Sequence, residues 1–416
     1  MGFLIDLILF ILILGSIVFV HEFGHFMMAK LTGVYVYEFA IGMGPKLWSK
    51  KGKETEYTLR AIPIGGFCMM AGEDLEDDDL KKVPKNKRLQ SKKPWQRFLI
   101  MFFGAGNNFI FAILLLFAIG LIWGGSSMEP VVTSVLKNSA AANSGIEAGD
   151  RILEINGHSI STTDDISLYL AVADPEEASD IKVEKENDSV KTYSVQPKKK
   201  KVDGQTTYQY GIGMHQEVEH GFLAAIQFTY KKTISIFKQM AVTVGYLFTG
   251  GISISQLSGP VGIFSIVGDQ SSAGIMNIIY LVAFLSINVG FINLLPLPAF
   301  DGGHILFIII EKIKGSPVNP ETENKIHTIG LFLLMLLMVV ITFNDILRLF
   351  WFLAGDSMNP MIIFICILVV SFVTFFIAYS EEKKQVQIDK NNKKSYTDDP
   401  AILFDEDSQD DDIEII

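Results

Sequence analysis

The sequence predicts a polytopic α-helical membrane protein that carries a membrane-associated β-hairpin and one inserted α+β domain. Of its 416 residues, 49% are hydrophobic and 19% are charged, which is too apolar for an ordinary soluble protein. Several apolar stretches reach the roughly 20 residues that a helix needs to cross a bilayer. Between them lies one long stretch, residues 128–215, with the composition of a soluble domain.

Four apolar stretches are expected to form the transmembrane core, and a fifth follows them. The first is not a secretory signal peptide, since no basic residue precedes it and no small-residue cleavage site follows it. The five stretches are Phe3 to Met28, Phe98 to Trp123, Ile278 to Leu297, Ile329 to Phe343 and Met361 to Tyr379.

Lysine and arginine are distributed unevenly among the loops, which predicts the orientation of the chain. The loop from Lys30 to Arg97 is rich in both, whereas the N-terminus and the loop from Leu353 to Pro360 carry neither. Because these residues collect in cytoplasmic loops, the first loop is expected in the cytoplasm and residues 124–275 outside. The chain is therefore expected to be a multi-pass protein of the cell membrane, with its C-terminus returned to the cytoplasm by the fifth span.

The residues His21-Glu22-Phe23-Gly24-His25 stand near the cytoplasmic end of the first span. In a helix, residues four apart share one face, so both histidines can hold one zinc ion while Glu22 reaches the attacking water. A single histidine in an apolar helix is more often a core residue. Two at ligand spacing with a glutamate between them favour a zinc hydrolase, because polar groups at membrane depth are costly without a function.

Four short apolar runs, separated by glycine and proline, follow the histidine motif and have the pattern of strands. One interpretation is a hairpin that enters the membrane beside the zinc site. The other is a small amphipathic sheet at the membrane interface with a structural role, and the sequence leaves both open. Within residues 34–70, the runs are Val34 to Phe39, Ile41 to Pro45, Glu56 to Ile62 and Ile64 to Met70.

Residues 128–215 resemble a PDZ domain, which binds an extended peptide as an added strand. The resemblance rests on the run from Gly149 to His158 and on a predicted helix from Asp164 to Ala173. Within the first of these, Asn156-Gly157 predicts a tight hairpin turn. The prediction is one such domain on the extracytoplasmic side.

Residues 216–275 are expected to connect this domain to the second membrane half. The stretch from Phe222 to Thr249 is apolar but interrupted by three lysines, which predicts an amphipathic helix on the outer membrane face. Residues 258–263, which contain Gly259-Pro260, are predicted to form a loop.

A catalytic zinc site takes three protein ligands and keeps one position open, so the two histidines need a third partner. Asp301 is the candidate, in the run NLLPLPAFDGG (293–303) at the end of the third span. Its prolines end the helix and its glycines free the backbone, which leaves Asp301 on irregular structure at membrane depth. Considered without the histidine motif, Asp301 is better explained as the N-cap of the next turn than as a zinc ligand. Its pairing with the histidine motif favours ligation.

Together, HEFGH (21–25), NLLPLPAFDGG (293–303), the PDZ-like insert and GPVGI (259–263) resemble the site-2 protease family of intramembrane zinc metalloproteases, of the bacterial regulator-of-sigma-E protease type. The resemblance implies a Zn2+ cofactor, Glu22 as general base, and strands that hold the unwound substrate. The implied zinc ligands are His21, His25 and Asp301. The implied substrate-binding residues are Asn293, Gly42, Gly44, Gly65 and Gly66.

The chain departs from the family pattern in three places. Phe300 stands where the family more often has leucine, which leaves the implied ligands unchanged. Residues 104–108 read Gly-Ala-Gly-Asn-Asn in place of the usual Gly-Pro-x-x-Asn. Beyond the two membrane halves, residues 1–125 and 276–350, lie the extra span at 361–380 and an acidic tail, 381–416, that is expected to be disordered.

By this resemblance, the substrates are single-span membrane proteins such as anti-sigma factors, or remnant signal peptides, that a separate protease has first trimmed. No nucleic-acid partner is expected. The alternatives are a non-catalytic PDZ-bearing membrane scaffold and a metal transporter. A transporter would place polar residues along several spans, and the second and fifth stretches carry almost none. A scaffold would not need Glu22 between the histidines.

Overall fold

The structure is a computed structural model that describes residues 2–73, 82–202, 205–214, 217–251 and 257–354. Met1–Thr342 form one compact unit, which contains the features below except the last residues of the final helix. The predicted fifth span (361–380) and acidic tail (381–416) fall outside the described residues.

Helices make up the membrane core, and those of the described residues are, in chain order, α1 (Phe3–Thr32), α2 (Pro94–Ile122), α3 (Ala140–Ser144), α4 (Thr163–Val172), α5 (Phe222–Thr249), α6 (Pro260–Ala273), α7 (Ile275–Asn293), α8 (Asp301–Lys314) and α9 (Pro320–Ala354). Of these, α1, α2, α7 and α9 are long and apolar enough to cross a membrane, by length and composition. The predicted four-span core is thereby confirmed. Helices α1 and α9 extend past their predicted bounds, whereas α2 and α7 begin earlier and end earlier than predicted. Helix α1 runs on until Gly33, whose left-handed conformation ends it.

The strands of the described residues are β1 (Val36–Lys51), β2 (Glu56–Met70), β3 (Gly125–Ser126), β4 (Ser134–Val135), β5 (Arg151–Ile155), β6 (His158–Ser159), β7 (Ser179–Glu184), β8 (Val190–Val195), β9 (Lys198–Val202), β10 (Gln205–Gln209), β11 (Ile212–Gly213) and β12 (Val218–Glu219).

The four runs that follow the histidine motif form one hairpin of two long, bent strands, β1 and β2. Gly42, Gly44 and Gly65 have φ values of 84°, 82° and 89° at the bends, a conformation that glycine adopts without strain. The hairpin packs against α1, where the ring of Phe39 lies 5.0 Å from that of Phe26 between centroids. The sequence separated these runs because it contains glycine and proline there, and these residues bend the strands without ending them.

The pairing register leaves one edge of this hairpin open. Residues 38–41 of β1 have Cα partners in two stretches of β2, residues 56–59 and residues 66–69. The stretch 66–70 pairs on one side only among the described residues. No strand of the described residues pairs with its other side, which makes it an edge strand. On that side the backbone N–H of Met70 lies 3.4 Å from Glu73 Oε2, and the backbone of Cys68 hydrogen-bonds to the carboxylate of Glu22.

The inserted segment folds as an α+β domain with a four-stranded antiparallel sheet in the order β6-β5-β7-β8. Its core contains fully buried Ile152, Ile166 and Ile181. Asn156 and Gly157 have φ values of 49° and 80°, which confirms the predicted tight turn, since two positive φ angles define the type I′ hairpin. The predicted helix at Asp164 to Ala173 is α4, shifted by one residue.

The predicted amphipathic helix is α5, and two of its lysines bind the inserted domain. Lys232 Nζ lies 2.8 Å from Asp164 Oδ2, and Lys238 Nζ lies 3.1 Å from Asp165 Oδ1. Two of the three lysines that interrupt the apolar pattern therefore pair with carboxylates in the first turn of α4.

Two elements differ from the sequence prediction. The prediction of a loop at residues 258–263 is wrong from Pro260 onward, because α6 begins there. A proline in the first helical turn needs no backbone partner, so it starts this helix. Asp301 was expected on irregular structure and is instead the first residue of α8.

Candidate metal centre

Three side chains from distant parts of the sequence meet at one point. His21 Nε2 and His25 Nε2 are 3.3 Å apart, and each lies 3.3 Å from Asp301 Oδ2. Both histidines come from α1, whose helical spacing puts residues four apart on one face. Asp301 comes from the start of α8. The structure thus brings together the three residues that the sequence pattern singled out as ligands.

Hydrogen bonds at the far ring nitrogens orient the two histidines. His25 Nδ1 donates to Ile100 O at 2.9 Å, so its Nε2 carries a lone pair. His21 Nδ1 lies 3.4 Å from Asn108 Nδ2, and Oδ1 of this fully buried residue has no hydrogen-bond partner among the described residues. The oxygen and nitrogen of an amide are assigned from their partners, and with the oxygen turned toward His21 the ring donates from Nδ1. Both imidazoles then present Nε2 lone pairs to Asp301.

This arrangement requires a cation. Asp301 Oδ2 is buried without a hydrogen bond among the described residues, and its two near neighbours are lone pairs of nitrogen. Zinc binds histidine nitrogen and carboxylate oxygen at about 2.0–2.2 Å, and a tetrahedral site then separates its ligands by about 3.3 Å. The observed triangle has these dimensions. The donor set therefore fits zinc, with a fourth direction left for water or substrate.

Two glycines allow α1 and α2 to approach closely enough to build the triangle. A Cβ at Gly24 would lie 1.9 Å from Phe103 O, and one at Gly104 would lie 2.3 Å from His25 Nε2 and 3.0 Å from Asp301 Oδ2. Gly104 and Asn108 were not recognised as site residues from the sequence. The signal that could have found them is the run Gly-Ala-Gly-Asn-Asn inside an otherwise apolar span, the same run that departs from the family pattern.

Asp301 stands on α8 and does not cap it. Helix α7 ends at Asn293, and the N-cap residue of α8 is Phe300, which makes no side-chain capping bond. The carboxylate of Asp301 is the first side chain of the helix and turns toward α1. The N-cap alternative raised by the sequence is therefore wrong, and the ligand alternative fits the geometry.

A cavity of about 390 Å³ opens onto the triangle. The residues that line it include His21, His25 and Asp301, together with Glu22, Asn293 and the edge strand at Phe67 to Met70. Gly66 lies against Glu22, since a Cβ on it would be 3.6 Å from Glu22 Cγ. Gly42, Gly44 and Gly65 do not line this cavity. They lie at the hairpin bends, where Ile62 and Met43 are their neighbours. The thiol of Cys68, which also lines the cavity, has a pKa raised by burial.

A charged group on the hairpin stabilises the strands that form this wall. Glu38 accepts hydrogen bonds from Thr58 Oγ1 at 2.6 Å and from Arg60 Nη2 at 2.7 Å. Burial would raise the pKa of Glu38, but these hydrogen bonds outweigh it and hold the pKa below its usual range. The guanidinium of Arg60 also lies 4.8 Å from the ring centre of Phe67 in the edge strand.

Comparison with known proteins agrees with this geometry. Residues 9–337 match the family model of peptidase family M50. The chain is 35% identical to the zinc metalloprotease RasP of Bacillus licheniformis, across 82% of this chain and 99% of that protein. It is 34% identical to the regulator of sigma-W protease RasP of Bacillus subtilis, across 84% and 100%. A third relative, the zinc metalloprotease RasP of Geobacillus kaustophilus, is 32% identical across 83% and 98%.

The family match covers most of the chain and includes both the histidine motif (21–25) and Asp301. Together with the apolar helices, it shows a multi-pass membrane protein that uses zinc. This chain belongs to peptidase family M50, the site-2 proteases, and is a zinc metalloprotease.

Proposed function

We propose that this protein hydrolyses peptide bonds within or near the transmembrane helix of single-span membrane proteins, with zinc held by His21, His25 and Asp301. The observation that carries the proposal is the triangle of three ligand atoms, 3.3 Å on each side, that faces a cavity shared with Glu22. A bound zinc ion supplies Lewis acidity for a peptide carbonyl and acidifies the attacking water. The residues of the chain supply the remaining steps.

Glu22 is proposed as the general base. It follows His21 on α1 and lines the cavity, so its carboxylate can take a proton from the attacking water and deliver it to the leaving amine. Asn293, which also lines the cavity, carries an amide that can donate a hydrogen bond to the carbonyl oxygen of the substrate.

The edge strand is proposed to hold the substrate. A transmembrane helix keeps its carbonyl groups in its own hydrogen bonds, so it must unwind before cleavage. The freed backbone groups need partners, and the open edge at residues 66–70 can provide them by strand addition once the substrate replaces the carboxylates of Glu22 and Glu73 there. Phe67 to Met70 lie along the cavity wall, so a peptide bound there would pass in front of Glu22. The bend glycines Gly42, Gly44 and Gly65 then shape the hairpin without touching the scissile bond.

The inserted domain is proposed as a PDZ-like filter on the extracytoplasmic side. The lysine and arginine bias puts it across the membrane from the metal centre. A folded body there would obstruct substrates with bulky outer domains and admit those that a separate protease has trimmed. The name of the Bacillus subtilis relative points to regulation of a sigma factor, so a membrane-anchored anti-sigma factor is the substrate class we favour.

The experiment compares metal content and cleavage in two variants. Glu22→Gln should keep zinc and lose cleavage of a single-span substrate, because the base is removed while the ligands remain. Asp301→Ala should lose both. Glu321→Gln, at an exposed position of α9, serves as the control and should retain both. Normal zinc binding in Asp301→Ala would remove that residue from the site, and full cleavage by Glu22→Gln would refute the mechanism. Zinc transport without cleavage would instead support the transporter alternative.

A further inference from the structure

A second cluster of metal-type side chains lies beside the metal centre, among the described residues. It consists of His304 on α8 with Glu323 and His327 on α9. His304 Nδ1 lies 3.2 Å from Glu323 Oε1, and the two imidazole rings stack with centroids 3.8 Å apart. His304 also lines the cavity of the metal centre. His327 Nε2 is buried and has no hydrogen-bond partner. These features suggest at first a second metal site.

The hydrogen bond at the other nitrogen of His327 excludes that interpretation. His327 Nδ1 accepts from the backbone N–H of Ala299 at 3.1 Å, so the ring proton of the neutral imidazole sits on Nε2. Nε2 then offers an N–H and no lone pair. His25 shows the opposite arrangement, since its Nδ1 donates to a carbonyl and frees Nε2 for a metal. His327 is built to hold a backbone group.

The backbone group that it holds belongs to the loop that carries Asp301. Ala299 has a φ of 75°, a left-handed conformation that alanine adopts only under constraint. It stands two residues before Asp301. Helix α9 supports the same loop at Gly330, where a Cβ would lie only 2.2 Å from Pro298 Cβ. The loop is therefore clamped against α9 at two adjacent residues, and its unusual conformation coincides with the His327 bond.

We propose that His327 is a positioning residue for the zinc site. By accepting from Ala299, it keeps the loop in the left-handed conformation that directs the Asp301 carboxylate toward His21 and His25. The stacked His304 keeps the His327 ring in place, and Glu323 in turn orients His304. This inference rests on the proposed role of Asp301 as a zinc ligand. Helix α9 thereby becomes part of the metal site without contributing a ligand.

The test separates the hydrogen bond that His327 accepts from the packing of its imidazole ring. His327→Phe keeps a stacked ring of similar size and loses the acceptor, whereas His327→Asn places an amide oxygen close to the position of Nδ1 and loses the ring. Zinc affinity is measured on the purified full chain in detergent by competition with a chelator. We expect about a 10- to 100-fold weaker affinity in His327→Phe, the usual effect of losing an outer-shell partner, and a near-normal affinity in His327→Asn. Thr328→Val, at the next and exposed position, is the matched control.

A second variant tests the link to backbone conformation. Glycine adopts positive φ without help, so Ala299→Gly should reduce the effect of His327→Phe to less than about 3-fold. If His327→Phe does not fold, His327→Leu takes its place with the same expectations.

Normal zinc affinity in the acceptor-less variant would overturn the proposal, as would equal losses in His327→Phe and His327→Asn. No rescue by Ala299→Gly would also overturn it. Asp301→Asn distinguishes failure of the proposed zinc ligand from failure of the proposed positioning role of His327. If that variant keeps full zinc affinity, the proposed ligand set fails, whereas a loss in Asp301→Asn with no loss in His327→Phe refutes the positioning role alone.

Discussion

Replacing Gly104 perturbs the metal centre without removing a ligand. An added Cβ would lie 2.3 Å from His25 Nε2 and 3.0 Å from Asp301 Oδ2. Non-bonded atoms prefer separations of about 3.5 Å or more, so His25 Nε2 would have to move by about 1 Å. Functional sites tolerate displacements of roughly 0.5 Å. We therefore expect Gly104→Ala to weaken zinc affinity by about 100-fold or more, the upper end of outer-shell effects, and to reduce cleavage in proportion.

Gly106→Ala is the matched control for this prediction. Gly106 lies two residues further along α2, and its added Cβ would meet only the ring of Phe102, at 3.3 Å. Both substitutions raise helix propensity by about 0.5–1 kcal/mol, so a difference between them reports the clash alone. The assay measures zinc per protein, chelator competition, thermal unfolding and cleavage of a single-span substrate. If Gly104→Ala matched Gly106→Ala in zinc affinity and cleavage, the geometry described for the metal centre would be wrong.

Three other predictions concern the hairpin, the topology and the inserted domain. Because the pKa of Glu38 is lowered from 4.5, its carboxylate stabilises the fold above that pH and this contribution is lost as the pH falls through the lowered pKa. Glu38→Gln should therefore lower the melting temperature at pH 7, with a difference that shrinks below about pH 4. A reporter fused after Ile416 should be cytoplasmic and one at Asp356 external, and the same side for both would exclude a fifth span. Deleting residues 129–214 should leave zinc content and cleavage of a trimmed substrate intact and permit cleavage of an untrimmed one. Loss of cleavage of the trimmed substrate, in folded protein, would make the domain a docking site.

The helices and turns that depend on a short stretch of sequence could be predicted from the sequence. The apolar spans have to be helices, because a bilayer offers no partners for free backbone groups, and the structure contains four of them among the described residues. The Asn156-Gly157 turn and helix α4 followed from similarly local signals. The two helices that the sequence did not predict, α6 and α8, have residues in their first turn that usually interrupt a helix: Pro260 in α6, and Gly302 and Gly303 in α8. Proline and glycine near a helix start are compatible with either a loop or a helix, and only packing decides which of the two forms.

By itself, the sequence determined the chemistry available to this protein. Histidines four residues apart with a glutamate between them must share one face of a helix, and their depth in an apolar span calls for a metal. The tertiary structure alone decided how the site is completed, because its other parts are separated from His21 and His25 by some 80 to 300 residues. The approach of Gly104, the orientation of His21 by Asn108, and the clamp of His327 on Ala299 are contacts between elements. Such contacts depend on how helices cross, and a periodic pattern within one helix carries no information about them.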